Sequence, residues 1–158
     1  MSLVIRELQQ DDLQLMVDQI RPMDAFEFDV MTDGKDHMEC FQELLQRSAA
    51  SRVAFIDGKL LCIFGVTART ALSPNGHPWL AATDLVNSPA ARRAIVANTH
   101  DQLADMSKRF SRLWNIVYEE NHIAIRWLRW IGFTFNETPI DIRGHRFLKF
   151  EKDVAKCA

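Results

Sequence analysis

Apolar residues recur along the chain in two periods, and the switches between them mark the elements. The clearest stretch is Asn121 to Phe135, NHIAIRWLRWIGFTF. Ala124, Trp127, Leu128 and Ile131 fall at three- and four-residue steps while Arg126 and Arg129 fall off that stripe, so the spacing predicts a short helix buried along one side. Asn121 is suited to cap it and Gly132 to end it in the left-handed conformation. The apolar run Leu113 to Tyr118 precedes it and Gly132-Phe133 leads into further beta-type residues. The unit is strand, helix, strand, which calls for a sheet with helices laid on its face.

The same reading orders the rest. Val4 to Leu8 predicts a first strand. Leu13, Met16, Val17 and Ile20 form a helical stripe, with Asp11 or Asp12 as cap and Pro22 as its close. Arg21 to Gly34 mixes acids with Phe26, Phe28, Val30 and Met31 and reads as a loop or broken helix. Met38, Phe41, Leu44 and Leu45 predict a helix within Asp36 to Ser48. Arg52 to Ile56 and Leu60 to Val66, joined by Asp57-Gly58, predict a hairpin, with Thr67 to Leu72 as its continuation. Ser73 to Gly76 reads as a turn and His77 to Asp84 as a strand. Ser88 as cap and Pro89 at the first helical position start a long helix carrying Ala94, Ile95, Leu103, Met106 and Phe110. Glu137 to Gly144 reads as turn-like, His145 to Glu151 as a last strand and Asp153 to Ala158 as a frayed end. The expected order is β-α-α-β-β-β-α-β-α-β-β.

Composition narrows the class. A chain of 158 residues with 47% hydrophobic and 25% charged residues suits one globular domain over residues 1–158. Net charge of −2 gives no overall basic footprint for nucleic acid or a membrane surface. Cys40, Cys62 and Cys157 are odd in number and far apart, which fits reduced thiols better than disulfides or zinc, and Cys62 reads as core. The five histidines lack metal-ligand spacing, so no metal is expected. No apolar stretch approaches a membrane span, and Arg6, Glu7, Asp11 and Asp12 interrupt what a signal peptide would need, so a soluble, cytoplasmic protein is expected. Trp114, Trp127 and Trp130 mix with Arg126 and Arg129; core packing is the reading, with Trp130 exposed and able to serve a protein partner or a second copy of the chain.

Asn121, Ala124, Ile125, Gly132 and Phe133, in the order N-x-x-A-I followed by G-F, resemble the closing motif of the GNAT N-acyltransferases. The wording NHIAIRWLRWIGF also resembles a family of internal virion proteins from short-tailed bacteriophages, itself related to that fold. The resemblance implies an α/β (α+β) fold whose mixed, mostly antiparallel sheet of about six to seven strands is flanked by about four helices. It also implies acetyl-coenzyme A as cosubstrate, a primary amine as acceptor, and a location in the host cytoplasm or the virion.

The coenzyme's diphosphate would rest at the start of the long helix, where free N–H groups and the helix dipole favour an anion. That places Leu85, Val86, Arg92 and Arg93 at the coenzyme, with Asn121 beside its arm. The family's loop pattern Q/R-x-x-G-x-G/A has no glycine here, since Asn87 to Arg92 reads NSPAAR. The tyrosine that many GNAT enzymes place seven residues after the motif asparagine corresponds to Leu128, which leaves Tyr118, the only tyrosine, as the hydroxyl that could reach the cleft. Attack by an amine needs a base, for which Asp84 is the first candidate and Glu119 and Glu120 the reserves. The alternative is a catalytically inactive GNAT-like protein used in phage assembly or against a host protein, which the glycine-free loop and Leu128 favour.

Overall fold

The computed structural model of the protein describes residues 2–154. The chain runs β1 (Leu3–Glu7), α1 (Asp12–Gln19), α2 (Pro22–Thr32), α3 (His37–Arg47), β2 (Ser48–Ile56), β3 (Lys59–Thr67) and β4 (Asn75–Ala82). A 3-10 turn, Asp84–Asn87, leads to α4 (Pro89–Met106), β5 (Arg112–Tyr118), α5 (His122–Ile131), β6 (Thr134–Phe135), β7 (Ile140–Ile142) and β8 (His145–Asp153). The strands form one mixed, mostly antiparallel sheet in the order β1-β2-β3-β4-β5-β8-β6, with β7 also on β8.

The β2–β3 hairpin turns at Asp57 and Gly58, whose φ values of 50° and 77° are the pair of positive angles a tight two-residue hairpin needs. Ser88 caps α4 through a 3.1 Å bond from the Ala91 N–H, with Pro89 at the first position. Asn121 caps α5, and Gly132 ends it at φ 111°.

Several elements differ from the sequence reading. Arg21 to Gly34 holds a full helix, α2, which starts at Pro22 and stops at the left-handed Asp33. Its apolar residues show no single stripe because it is enclosed on several sides: Phe26 packs on Tyr118 and His145, and Phe28 on Phe41. β3 stops at Thr67, β4 begins at Asn75 inside the expected turn, and Asp84 falls in the 3-10 turn. The Glu137 to Gly144 stretch contains β7. Of the expected frayed end, Asp153 closes β8, whereas residues 155–158 lie outside the described residues.

Helices cover both faces of the sheet. Leu13 and Met16 of α1 and Phe41 of α3 pack on Val53, Ile63 and Ala81, with Phe28 of α2 against them. On the other face Ala91 and Ala94 of α4 pack on Ala54, Cys62 and Ala82, and Ile125, Leu128 and Ile131 of α5 on Leu113, Val117 and Phe150. Burying each of these large side chains stabilises the fold by about 1.5–3 kcal/mol.

The feature that positions the site is the one parallel pair. β4 and β5 are in register only at Asn75↔Arg112 and Gly76↔Leu113, and then part. Gly76 is required at this fork, because a Cβ there would lie 2.7 Å from Val66 Cγ1 and 2.8 Å from the Phe110 ring.

Candidate functional site

Parting strands leave backbone N–H and C=O groups without ladder partners, and a buried unpaired group costs about 1–3 kcal/mol. Side chains close the fork near its apex: His77 Nδ1 lies 3.0 Å from the Trp114 carbonyl oxygen, and Asn115 Nδ2 donates to the Pro78 carbonyl at 2.8 Å. Farther out, α2 closes it. The Arg21 N–H donates to the Ala82 carbonyl at 2.8 Å, and the Ala82 N–H donates to Asp24 Oδ2 at 2.7 Å. On the β5 side, the Tyr118 N–H donates to Glu27 Oε1 at 3.2 Å and Asn121 Nδ2 donates to the same oxygen at 2.8 Å. Arg21, Asp24 and Glu27 recur every third residue, so the start of α2 lays one charged side after another along the seam.

Burial governs the chemistry of these acids. It pushes the Glu27 carboxyl up to about 7; the Asn121 bond pulls the other way, and the charge of Asp24 adds to the rise. Asp24 is also raised, first by burial, although Arg21 Nη2 stands 2.9 Å from its Oδ1. Both bonds to Glu27 fall on Oε1, leaving Oε2 as the oxygen that can exchange a proton. A carboxyl that is half-ionised near neutrality, held by a buried amide, is equipped as a general base.

Two of the residues expected from sequence meet here. Asn121 is buried and serves twice, its Oδ1 capping the Ala124 N–H at 3.4 Å while its Nδ2 holds Glu27. Tyr118 sits beside it, its ring 4.9 Å from Phe26 and 5.6 Å from Phe147. The other acids lie elsewhere. Glu119 pairs with Arg146 and the exposed Glu120 with His122. Asp84 is exposed and borders a separate cavity of about 570 Å3 between α1, the β2–β3 turn and the 3-10 turn, shared with Gln19, Lys59 and Thr83. The sequence reading missed Asp24 and Glu27 because it took their segment as a loop. The available signal was Pro22 at a first helical position followed by charges at three-residue steps.

The mouth in front of α4 is built from short-range bonds. The Leu85 N–H donates to Thr83 Oγ1, the Val86 N–H to the Thr83 carbonyl and the Ser88 N–H to the Leu85 carbonyl. The Ala91 and Arg92 N–H groups both go to Ser88, and Pro89 has none. The Asn87 N–H belongs to the 3-10 turn itself, so Ala90 is a position whose N–H this network leaves, and exposed Arg92 and Arg93 make no ion pair among the described residues. The donors in front of α4 are therefore two guanidinium groups and the Ala90 amide rather than a full amide cradle. Leu85 and Val86 are half-buried against the α4 side of the sheet.

No family model matches the chain, and no curated protein matches it by sequence. Solved structures do match it in shape. An acetyltransferase of the GNAT family from Streptococcus pneumoniae superposes with a TM-score of 0.66 at 16% identity, covering 98% of this chain and 100% of that one. A putative phosphinothricin N-acetyltransferase gives 0.70 at 10% identity over the same shares. The fold is that of the GNAT N-acetyltransferases. A putative acetyltransferase from Salmonella typhimurium, solved with its cofactor acetyl-CoA, has the GNAT fold too, with a TM-score of 0.68 at 12% identity over 100% of this chain and 97% of that one.

Among the described residues no cluster of His, Cys, Asp or Glu could hold a metal, and no helix is long and apolar enough to cross a membrane. Cys62 is core, its thiol pushed up to about 12 by burial.

Proposed function

We propose that the protein transfers an acetyl group from acetyl-coenzyme A to a primary amine, with Glu27 as the base. The carrying observation is the Glu27 carboxyl in the β4–β5 fork, poised near neutral pH and bonded to Asn121. Acetyl-coenzyme A, when bound, supplies a thioester carbonyl that a neutral amine can attack. Glu27 Oε2 takes the proton that an ammonium must lose before it can act as a nucleophile. Raising the carboxyl from 4.5 to about 7 narrows the gap to an alkyl ammonium by on the order of 3 kcal/mol. Asn121 fixes the carboxylate, so it is a positioning residue, and Tyr118 walls the same space. Arg92 and Arg93 would hold the diphosphate with the N–H group of Ala90.

A second reading, a GNAT fold kept without catalysis in a phage particle or against a host protein, draws on two observations. The mouth has few amides left for phosphate, and Ile20 and Arg21 of the chain itself sit on the edge of β4 at Ala82 and Thr83. Melting curves with acetyl-coenzyme A separate the readings. A ligand at one hundred times its dissociation constant adds about 2.7 kcal/mol, a shift of several degrees, and Arg92→Ala with Arg93→Ala should shrink it. No shift at millimolar coenzyme would overturn acetyl transfer in favour of the second reading.

A further inference from the structure

At the apex of the β4–β5 fork lies a second cavity, of about 270 Å3, lined by none of the residues assigned above to the base or the coenzyme. Its walls are Arg47 at the end of α3, Thr67 and Arg69 at the end of β3, His77 of β4, and Trp114 and Asn115 of β5. No lining residue is acidic. Arg47 and Arg69 make no ion pair among the described residues, a state they share with Arg92 and Arg93, but here the two line one concave space. The nearest acid on the helix of Arg47, Glu43 one turn back, is engaged by Lys35. The helix end does not need Arg47 either, because Ser48 supplies both its N–H and its hydroxyl to the Leu44 carbonyl.

His77 is set in a defined tautomer. A carbonyl oxygen only accepts, so the 3.0 Å contact with the Trp114 oxygen puts the hydrogen on Nδ1 and leaves Nε2 without it in the neutral ring. The Trp114 ring stands edge-on to the imidazole at 4.5 Å and holds its plane. Asn115 is engaged at both amide atoms, Nδ2 donating to the Pro78 carbonyl and Oδ1 accepting from the Ile116 N–H. The donors left for a ligand are the two unpaired arginines that line the concave space, which suit the planar or tetrahedral oxygens of an anion, while His77 Nε2 offers a lone pair that a protonated oxygen of the same anion can meet.

We propose that this cavity binds the oxyanion end of a small molecule, a carboxylate or a phosphate. Its volume is just under the usual range of about 300–1,000 Å3 for ligand pockets, so the occupant is small or enters by one end. The site stands without the acetyl-transfer reading; under that reading it would hold an acid group on the amine acceptor.

The test is thermal melting of the full chain with inorganic phosphate and, separately, with succinate, each at constant ionic strength. At tens of millimolar, one or both should raise the melting temperature, and a response to only one identifies phosphate or carboxylate as the ligand group. Arg47→Ala combined with Arg69→Ala should weaken that binding by roughly tenfold or more. Both arginines are exposed and unpaired, so the double variant should melt normally without added anion. Arg126→Ala, an exposed arginine on α5, should keep the full shift. In nuclear magnetic resonance, the His77 ring signals should move on saturation in the wild type and stay in the double variant. No shift with either anion, an undiminished shift in the double variant, or an equal loss in Arg126→Ala would overturn the proposal.

Discussion

The mouth in front of α4 and the seam beneath α2 both begin as strand ends with unpaired amide groups, and they are finished in opposite ways. At the mouth, Thr83, Leu85 and Ser88 satisfy N–H groups within four residues of themselves and leave two arginines in solvent. At the seam, Asp24 and Glu27 satisfy N–H groups 58 and 91 residues away, at the expense of burying two carboxyls. Under the proposed function the contrast separates two tasks. The exposed cations sit where the backbone is locally complete, and the buried carboxyls sit where distant elements meet.

The largest expected effect is Asp24→Ala. It leaves the buried Arg21 guanidinium without its charge partner and strips the bond from the Ala82 N–H, so unfolding free energy from a denaturant titration should fall by about 3–5 kcal/mol. A loss under about 1 kcal/mol would mean that the seam does not hold the fork together.

Glu27→Gln sharpens the comparison by separating charge from shape. Between about pH 4.5 and 7 the folded protein keeps a proton on Glu27 that the unfolded chain releases, so this group lowers stability as pH rises, by about 3 kcal/mol at most over that window. Glutamine can accept the same two bonds without the charge. Unfolding curves at pH 8 should therefore show the variant more stable than wild type by about 1–3 kcal/mol, with the difference fading toward pH 5. A variant less stable at pH 8 would place the carboxylate in a polar, not a buried, setting.

Ser88→Ala addresses the mouth and should cost about 1 kcal/mol through loss of the α4 cap, read as a lower melting temperature. Arg92→Ala and Arg93→Ala should stay within about 0.5 kcal/mol of wild type, since both are exposed and unpaired. Under the proposed function their effect falls on coenzyme binding alone.

The same division decides what was legible in the sequence. Asp57-Gly58, Ser88-Pro89, Asn121 and Gly132 act on backbone groups within a few residues, so a linear reading places the hairpin, both helix starts and the end of α5. Tyr118 and Asn121, named from sequence because they stand beside a local motif, lie at the seam next to Glu27. α2 was not, because Phe26, Glu27 and Phe28 each face a different neighbour and erase the helical stripe. Asp84 drew attention as the acid at the end of a strand, yet the 3-10 turn carries it to another cavity. Glu27 gains its character from burial in the folded seam, where its carboxyl meets residues 91 and 94 positions away.

The most direct test is thiol release from acetyl-coenzyme A by wild type and Glu27→Gln, with a panel of primary amines, between pH 5.5 and 8.5. Wild type should rise through about pH 7 to a plateau, and the variant should lose roughly a hundredfold or more in rate while keeping its coenzyme-dependent melting shift. A variant with the wild-type rate and the wild-type pH profile would contradict the assignment of Glu27 as the base.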